Sequence, residues 1–511
     1  MKKLTYIQGA FILTFTNLIT GSLSFVYRIF LSKAIGSEGM GVYQLVFPLY
    51  LFFITLVSGG ITTAVSKLVA EQGARRNYSN IFKIIKVCTF LLGAWSFTLC
   101  ILIFSNAEYL SSYILKDSRT MFSIMVFTPA VFFISLSAIL KGYFFGLQDV
   151  NPPAVIDILE KLIRLFGLLL TTYFLLPYGI EYVCAGALAA MAVGEMISYV
   201  LLFFSYRIRR TGQPSFGKTD STVYIMGSVL RIAVPLSISG ALSTILDMVS
   251  AVLIPMQLRA AGYSNSSALS QYGELTGMVL PLAFYPFIIV SSLGITLVPA
   301  ITSSFAGHNW VALNKKCNDS LKITSTVGFA ATALFIIFPW ELSRIFFNCP
   351  DAGKMLYWMA FLCISEYWQA TLFAILNGVG MQAIVLKNSI VNIIITILCC
   401  YFLIPLPSIG IYGCIIGYAA SSILITLWNI SALRAVSQIH IDYRNTLIKP
   451  FIAFAGMYII VKCCNTILVL NGIEKSNMII SSFTGFIFFF IALITTGTFT
   501  TKQLKNTLSI K

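Results

Sequence analysis

Charged residues are scarce in this sequence of 511 residues, where Asp, Glu, Lys and Arg together make up 10%. About a quarter of the residues in a soluble domain are charged, so this composition excludes that class. Histidine occurs only as His308 and His440, and the 11 cysteines show no metal-binding or disulfide spacing. We therefore expect no bound metal, no protein-held cofactor and no catalytic histidine, and the sequence predicts a protein that is not an enzyme.

Apolar residues fill the chain instead, with 58% hydrophobic residues and a mean hydropathy of +0.88. Runs of about 20 apolar residues, each long enough to cross a bilayer, follow one another with short polar breaks. Because a bilayer offers no partner to unpaired backbone groups, each run should be helical. The predicted fold class is an all-α integral membrane protein with about 14 transmembrane helices. The predicted spans are 7–30, 42–69, 84–104, 121–144, 155–176, 182–206, 226–256, 272–305, 323–347, 356–379, 384–404, 411–433, 446–468 and 478–499.

The basic residues are distributed unevenly and account for the formal net charge of +16. Half of them cluster in alternate loops, at Lys2, Lys3, Lys67, Arg75, Arg76, Lys83, Lys86, Arg207, Arg209, Arg210, Lys218, Lys315, Lys316, Lys322, Lys502, Lys505 and Lys511. This asymmetry follows the positive-inside rule and predicts that both termini are cytoplasmic. The charge therefore needs no nucleic-acid partner, and the first apolar run is too long for a cleavable signal peptide.

One short loop matches a nucleotide-binding motif. Gly212-Gln-Pro-Ser-Phe-Gly217-Lys218-Thr219 has the pattern G-x-x-x-x-G-K-[ST]. That motif works between a strand and a helix of a packed sheet, and a loop between two spans has no room for such a domain. We interpret the match as chance and expect no nucleotide partner.

The two halves of the chain resemble each other at a separation of about 235 residues. Gly60-Ile61-Thr62 recurs as Gly294-Ile295-Thr296, and Ala138-Ile139-Leu140-Lys141-Gly142 recurs as Ala374-Ile375-Leu376-Asn377-Gly378. An even number of predicted spans separates the copies, so the repeats are parallel, a geometry typical of alternating-access transporters. We predict two six-helix lobes related by a parallel pseudo-two-fold axis. The predicted parts are an N-lobe at 1–210, a cytoplasmic linker at 211–225, a C-lobe at 226–434 and two C-terminal helices at 435–511. The glycine pairs at 142–146 and 413–417 predict close helix packing.

Four charged residues interrupt the fifth predicted span: Asp157, Glu160, Lys161 and Arg164. At helical spacing they share one face, on which Asp157 with Lys161 and Glu160 with Arg164 are i,i+4 pairs. A charge deep in a bilayer costs about 3 kcal/mol on insertion scales, so the stripe should face protein or water. The stripe predicts a polar cavity, and a self-neutralised structural network is the alternative.

An ordered set of short motifs carries a family resemblance over nearly the whole chain. The motifs are Gly36-Ser-Glu-Gly39-Met-Gly41-Val-Tyr43-Gln, Ser66-Lys67-Leu-Val-Ala70-Glu71, Asn151-Pro152 with Glu160 and Arg164, Asp247, Tyr272-Gly273, Leu293-Gly294-Ile-Thr-Leu-Val-Pro299-Ala and Asn377-Gly378. The sequence resembles the multidrug/oligosaccharidyl-lipid/polysaccharide (MOP) exporter superfamily. Within it, the sequence is most similar to the stage V sporulation protein B branch of polysaccharide biosynthesis proteins, relatives of the lipid II flippases.

The resemblance implies a flippase of the bacterial plasma membrane. Its substrate would be an undecaprenyl-pyrophosphate-linked cell-wall precursor similar to lipid II, moved from the inner to the outer leaflet, for spore cortex peptidoglycan. The implied partners are this lipid-linked oligosaccharide, membrane lipids and a cell-wall polymerase. Three alternatives stay open: export of another lipid-linked polysaccharide unit, drug/cation antiport, and a non-transporting scaffold for cell-wall synthesis.

The resemblance also implies the residues of the site. The pyrophosphate head group would bind Arg28, because a guanidinium group grips phosphate oxygens in bidentate fashion; the alternative for Arg28 is a side chain that reaches the outer interface. Relatives often carry a second arginine where this chain has Gly21, so anion binding should depend on Arg28 and Arg164. The other predicted head-group residues are Asp157, Glu160 and Lys161.

Energy coupling is the last function that the resemblance implies. Oxygen ligands suit a hard cation such as Na⁺, and those implied here are Asp247, Asn388 and Asn392. A proton gradient is the alternative, with Glu195, Glu274 and Glu366 as further acids in or near the spans.

Overall fold

The computed structural model describes residues 6–211, 218–436, 439–470 and 477–498. Throughout these ranges the regular secondary structure is helical and includes no β-strand, which confirms the all-α prediction. Some sequence predictions lie outside the described residues: 212–217 of the nucleotide-binding-like motif and of the linker, residue 499 of the last span, and Lys2, Lys3, Lys502, Lys505 and Lys511.

The chain packs as two units, Met1–Arg259 with Tyr263–Gly277, and Ala260–Gly262 with Met278–Lys511. The helices described in the first unit are α1 (Tyr6–Ser58), α2 (Ile61–Ala74), α3 (Tyr78–Ser105), α4 (Ala107–Tyr109), α5 (Met121–Gly146), α6 (Asn151–Leu175), α7 (Ile180–Thr211), α8 (Thr222–Ala260) and α9 (Asn265–Gly273). Those described in the second unit are α10 (Leu280–Phe284), α11 (Phe287–Ala306), α12 (Trp310–Ile337), α13 (Pro339–Phe347), α14 (Ala352–Ala360), α15 (Cys363–Gly378), α16 (Gln382–Leu403), α17 (Tyr412–Val436), α18 (Lys449–Leu470) and α19 (Asn477–Thr495). The lobe boundaries proposed from the sequence stay a prediction; by packing, α8 and α9 go with the first unit.

Ten helical runs among the described residues are long and apolar enough to cross a membrane, or eleven if α14 and α15, bent by 56°, form one span. The exact number of fourteen is therefore not confirmed. One run, Ile12–Ala74, has 63 residues and contains the first two predicted spans almost entirely; within it, two helices meet at a kink at the non-helical Gly36, with φ 67° and ψ −170°. The predicted eighth span is divided among α9, a π-helical stretch at Glu274–Val279, α10 and α11. α6 covers the fifth predicted span, but it is not among the ten apolar runs because its charged stripe makes it too polar.

Glycines allow close helix packing at both predicted motifs. A Cβ atom added to Gly142 would lie 2.9 Å from the carbonyl oxygen of Thr62, and one added to Gly146 would lie 2.6 Å from that of Ser66. α5 therefore packs directly on the backbone of α2. The motif at 413–417 brings α17 against α16 in the same way, so both glycine pairs have the packing role that their spacing predicts.

The internal repeat is visible in the local structure of each unit. α3 and α12 each have 28 residues, and their N-caps, Asn77 and Asn309, lie 232 residues apart. At the same separation, Gly146 packs on the backbone of α2 as Gly378 packs on that of α11. The predicted match of Gly142 with Gly378 is thus displaced by one helical turn. A helix presents the same face every 3.6 residues, so an apolar sequence pattern does not distinguish neighbouring turns.

Candidate functional site

The charged stripe lies in the first four turns of α6. Pro152 is at the start of this helix, where its missing N–H breaks no helical hydrogen bond. Glu160 is 4% exposed and Asp157 is half-buried. By contrast, Val155 is 57% exposed and Phe166 is 67% exposed. α6 therefore turns its charges towards α1, α5 and α7 and its apolar side chains outward, as the cost of a charge in lipid predicts.

Both carboxylates of the stripe have partners other than those that the i,i+4 spacing predicts. Asp157 Oδ1 lies 2.7 Å from Nζ of Lys141 on α5, and Glu160 Oε2 lies 2.6 Å from Nζ of Lys161. In the described parts of the chain, Asp157 forms no ion pair with Lys161 and Glu160 forms none with Arg164, so the predicted pairing is wrong. The spacing along one helix carries no information about charges on its neighbours, and Lys141 meets Asp157 from α5.

Arg164 has no ion pair with a carboxylate in any described segment. Its guanidinium carbon lies 4.7 Å from the ring centroid of Tyr27, and its Nη2 lies 2.6 Å from the sulfur of Met191. Its Nε is buried and has no hydrogen-bond acceptor. An unsatisfied buried donor costs about 1–3 kcal/mol, and more when it is charged. Nε is therefore a buried donor without an acceptor in this conformation.

Arg28 lies close enough to Arg164 for the two positive charges to repel each other. Its guanidinium carbon is 5.8 Å from the ring centroid of Phe47, and it too lacks an ion pair among the residues that the structure describes. Tyr43 stacks on Phe47 with 5.8 Å between ring centroids, and its hydroxyl lies 3.4 Å from the sulfur of Met191. The two arginines thus face aromatic rings and a thioether, without a paired carboxylate.

Glu195 of α7 is the third carboxylate of this region. It interacts electrostatically with Glu160, with Arg164 and with the lysines of both ion pairs. Counting Arg28, the region holds four cations and three carboxylates, which leaves one positive charge uncompensated. Sequence reasoning missed Lys141 as a member, although a lysine within an apolar span is the same signal that singled out the stripe.

The residues predicted to couple an ion belong to both units. Asp247 is exposed on α8 of the first unit, and Asn388 and Asn392 lie on α16 of the second. Nδ2 of the fully buried Asn388 donates to Oδ1 of Asn429 at 2.6 Å, which leaves Asn388 Oδ1 and Asn429 Nδ2 without partners. Asn392 is half-buried, and its carbonyl oxygen accepts from the Thr396 hydroxyl at 3.0 Å. Their role in ion coupling stays a prediction.

A model of one protein family matches residues 6–305 of the chain, more than half of its length. The chain belongs to the polysaccharide biosynthesis protein family. The matched range includes α1, α5, α6 and α7, which supply the charged and aromatic residues described above.

Curated relatives of this polysaccharide biosynthesis protein come from Bacillus subtilis. Stage V sporulation protein B is 28% identical over 447 residues, which cover 87% of this chain and 86% of the relative. Lipid II flippase MurJ is 23% identical over 450 residues, which cover 81% of this chain and 80% of the relative. These similarities confirm the resemblance that the sequence motifs carry.

Solved structures of transporters share the fold. An inward-facing multidrug resistance MATE family transporter of the MOP superfamily superposes with a TM-score of 0.63 at 16% identity, covering 82% of this chain and 96% of that one. A MOP superfamily transporter from Pyrococcus furiosus gives a TM-score of 0.60 at 15% identity, covering 84% and 96%. The chain is therefore a multi-pass membrane protein with the MOP transporter fold, and its flippase and transporter relatives agree with the prediction that it is not an enzyme.

Proposed function

We propose that this protein flips an undecaprenyl-pyrophosphate-linked cell-wall precursor of the lipid II type from the inner to the outer leaflet of the bacterial plasma membrane. The observation that carries the proposal is the pair Arg28 and Arg164, two half-buried cations without a carboxylate ion pair in the described residues. A pyrophosphate group brings two or more negative charges that match them. The name of one relative, a lipid II flippase, supports the same substrate class, and that of another, a stage V sporulation protein, supports a role in sporulation, which we propose is spore cortex synthesis.

In this proposal the polyprenyl tail stays in lipid while the head group enters the first unit. Arg164 would bring its guanidinium group, whose Nε lacks an acceptor, to the phosphate oxygens, which suit the guanidinium fork. The ion pairs Asp157–Lys141 and Glu160–Lys161 neutralise their own charges and Glu195 offsets one arginine, so one positive charge of the region is left for the substrate. Such an attraction is stronger in a protein interior than in water because the effective dielectric constant is lower.

We also propose how the protein alternates, what drives it and which partner uses its product. Alternation of the N-lobe and the C-lobe would expose the head-group site to each side of the membrane in turn. A Na⁺ or H⁺ gradient would drive the cycle through Asp247, Asn388 and Asn392. Both termini would be cytoplasmic, and a cell-wall polymerase would use the flipped precursor as its substrate.

The decisive experiment is translocation of fluorescent lipid II in proteoliposomes by Arg28→Ala and Arg164→Ala. Each charge-assisted contact to phosphate contributes about 1.5–3 kcal/mol, so we expect each variant to lose roughly tenfold or more in rate. Arg207→Ala is the matched control, because Arg207 also lies over an aromatic ring, that of Phe203 at 5.7 Å, but is exposed. Wild-type rates for both site variants, in protein that unfolds at the wild-type temperature, would disprove this site.

The same assay distinguishes the other candidate functions. A scaffold would move no lipid-linked donor even as the wild-type protein. A drug/cation antiporter would move an organic cation, and the uncompensated positive charge beside Arg28 opposes its binding. Lipid-linked donors with other glycans, tested with and without an ion gradient, would identify the cargo and the coupling ion.

A further inference from the structure

A ridge on α3 separates two grooves on the surface of the first unit. The ridge residues recur every four positions and border both grooves; they are Phe82, Lys86, Phe90 and Ala94. Lys83, Val87 and Leu91 border only the first groove, and Ile85, Thr89 and Gly93 border only the second. This division follows from helix geometry, because residues four apart lie on one face and their neighbours fall to either side. The Phe90 ring is 81% exposed, as expected for a side chain at the lipid boundary.

The side of the first groove that lies away from the ridge is mainly polar, with Thr219 and Thr222 beside Met226, whereas that of the second groove is mainly apolar. The first groove has a volume of about 820 Å³ and is bordered across from the ridge by Thr222 and Met226 of α8. The second has a volume of about 700 Å³ and is bordered by Phe132 and Leu136 of α5 and Phe203 of α7. Both volumes lie in the range of sites that hold organic ligands.

The two grooves share one cationic mouth, formed by Lys86 and Arg210. The Arg210 guanidinium carbon lies 5.0 Å from the ring centroid of Phe82. The nearby carboxylate of Asp220 accepts a hydrogen bond from Asn80 Nδ2 at 2.6 Å. Within the described ranges neither Lys86 nor Arg210 forms an ion pair. Two cations therefore border both grooves, of which the second is mainly apolar and the first combines the apolar Val87, Leu91 and Met226 with polar side chains.

We propose that this ridge binds one anionic diacyl phospholipid, with its phosphate at Lys86 and Arg210 and one acyl chain in each groove. One anionic head group that carries two apolar chains matches one cationic mouth that opens on both sides of a ridge, each side bordered by apolar side chains of α3. The mouth lies on the side predicted to be cytoplasmic, where basic residues attract the anionic lipids of the inner leaflet. The site is separate from Arg28 and Arg164 and does not depend on the proposed transport function.

The head-group half of the proposal is tested by native mass spectrometry of the full-length protein, titrated with phosphatidylglycerol or with phosphatidylcholine of the same chains. We expect phosphatidylglycerol to bind more tightly, and Lys86→Gln with Arg210→Gln to weaken it about thirtyfold, since each basic residue near an anionic surface contributes roughly fivefold. Lys67→Gln is the matched control, because Lys67 is exposed, belongs to the same predicted cytoplasmic set and borders neither groove. Equal binding of the two lipids, or unchanged phosphatidylglycerol binding by the double variant, would overturn the proposal.

The two-groove half is tested by filling one groove. A Cβ atom at Gly93 would meet only Leu136 Cδ2, at 3.9 Å, so the side chain of Gly93→Leu can enter the second groove without a backbone clash. We expect this variant to bind phosphatidylglycerol at least fivefold more weakly but to bind single-chain lysophosphatidylglycerol as the wild type does. Unchanged phosphatidylglycerol binding would exclude a chain from the second groove and overturn the two-groove arrangement.

Two further measurements keep the result interpretable. Thermal unfolding in lipid-free detergent checks that each variant is folded, and the single variants Lys86→Gln and Arg210→Gln replace the double variant if it is not. A wild-type dimer that Phe90→Asp dissociates would assign the ridge to a second copy of this chain, and would overturn the lipid site.

Discussion

Replacing Gly146 with alanine tests how tightly α5 packs on α2. The new Cβ atom would lie 2.6 Å from the carbonyl oxygen of Ser66 and 2.8 Å from Cβ of Val69, whereas ordinary contacts begin at 3.4 Å. The two helices would therefore have to separate by roughly 0.6–0.8 Å in a close-packed interior. Overpacking of this kind costs about 1–3 kcal/mol, and the better helix propensity of alanine offsets about 1 kcal/mol of it. We expect a net loss of up to about 2 kcal/mol, and a stability about 1–3 kcal/mol below that of an alanine substitution at an unhindered helix glycine.

The assay is unfolding of the purified protein in detergent, by heat or by a chemical denaturant. Gly93→Ala is the matched control, because a Cβ atom there meets only Leu136, at 3.9 Å, and we expect this variant to be at least as stable as the wild type. In the second unit, Gly378→Ala should resemble Gly146→Ala, because its Cβ atom would lie 2.7 Å from that of Ile301. If Gly146→Ala were as stable as Gly93→Ala, the inferred contact between α5 and α2 would be refuted.

Three other predictions concern the charged and polar contacts. Lys141→Met and Asp157→Asn should each destabilise the protein. Their coupling energy in a double-mutant cycle should be only about 0.5–1 kcal/mol, because the two side chains are 27% and 35% exposed. Additive effects would contradict the ion pair. Glu160→Gln removes a negative charge beside the arginines and should tighten binding of a fluorescent lipid-linked pyrophosphate about fivefold or more; weaker binding would contradict the proposed site. Asn388→Leu should lower the free energy of unfolding by about 1–3 kcal/mol, because it leaves Asn429 unpaired. The double variant Asn388→Leu with Asn429→Leu should recover most of this stability. A double variant as unstable as the single one would exclude this explanation.

The sequence was sufficient for the protein class, the helical fold, the inward direction of the α6 charges and the family. These properties depend on local composition and on the cost of placing charges or unpaired backbone groups in a bilayer. The count of fourteen spans is not confirmed, in part because hydropathy does not register breaks such as those that divide the predicted eighth span among α9, a π-helical stretch, α10 and α11. The repeat was found from sequence, but its register was one turn out until the packing of Gly146 and Gly378 was known.

The partners of each charge were decided only by the tertiary structure. The i,i+4 spacing predicted Lys161 as the partner of Asp157, whereas the fold brings Nζ of Lys141, on another helix, to 2.7 Å from Asp157 Oδ1. It also places Tyr27, far from Arg164 in sequence, with its ring 4.7 Å from the guanidinium group. Periodicity along a helix determines which face a residue occupies, and the bilayer determines whether that face can be charged. The distance between two side chains on different helices depends on how those helices cross. The sequence could therefore identify a charged face, but only the fold shows which charges are left without a partner.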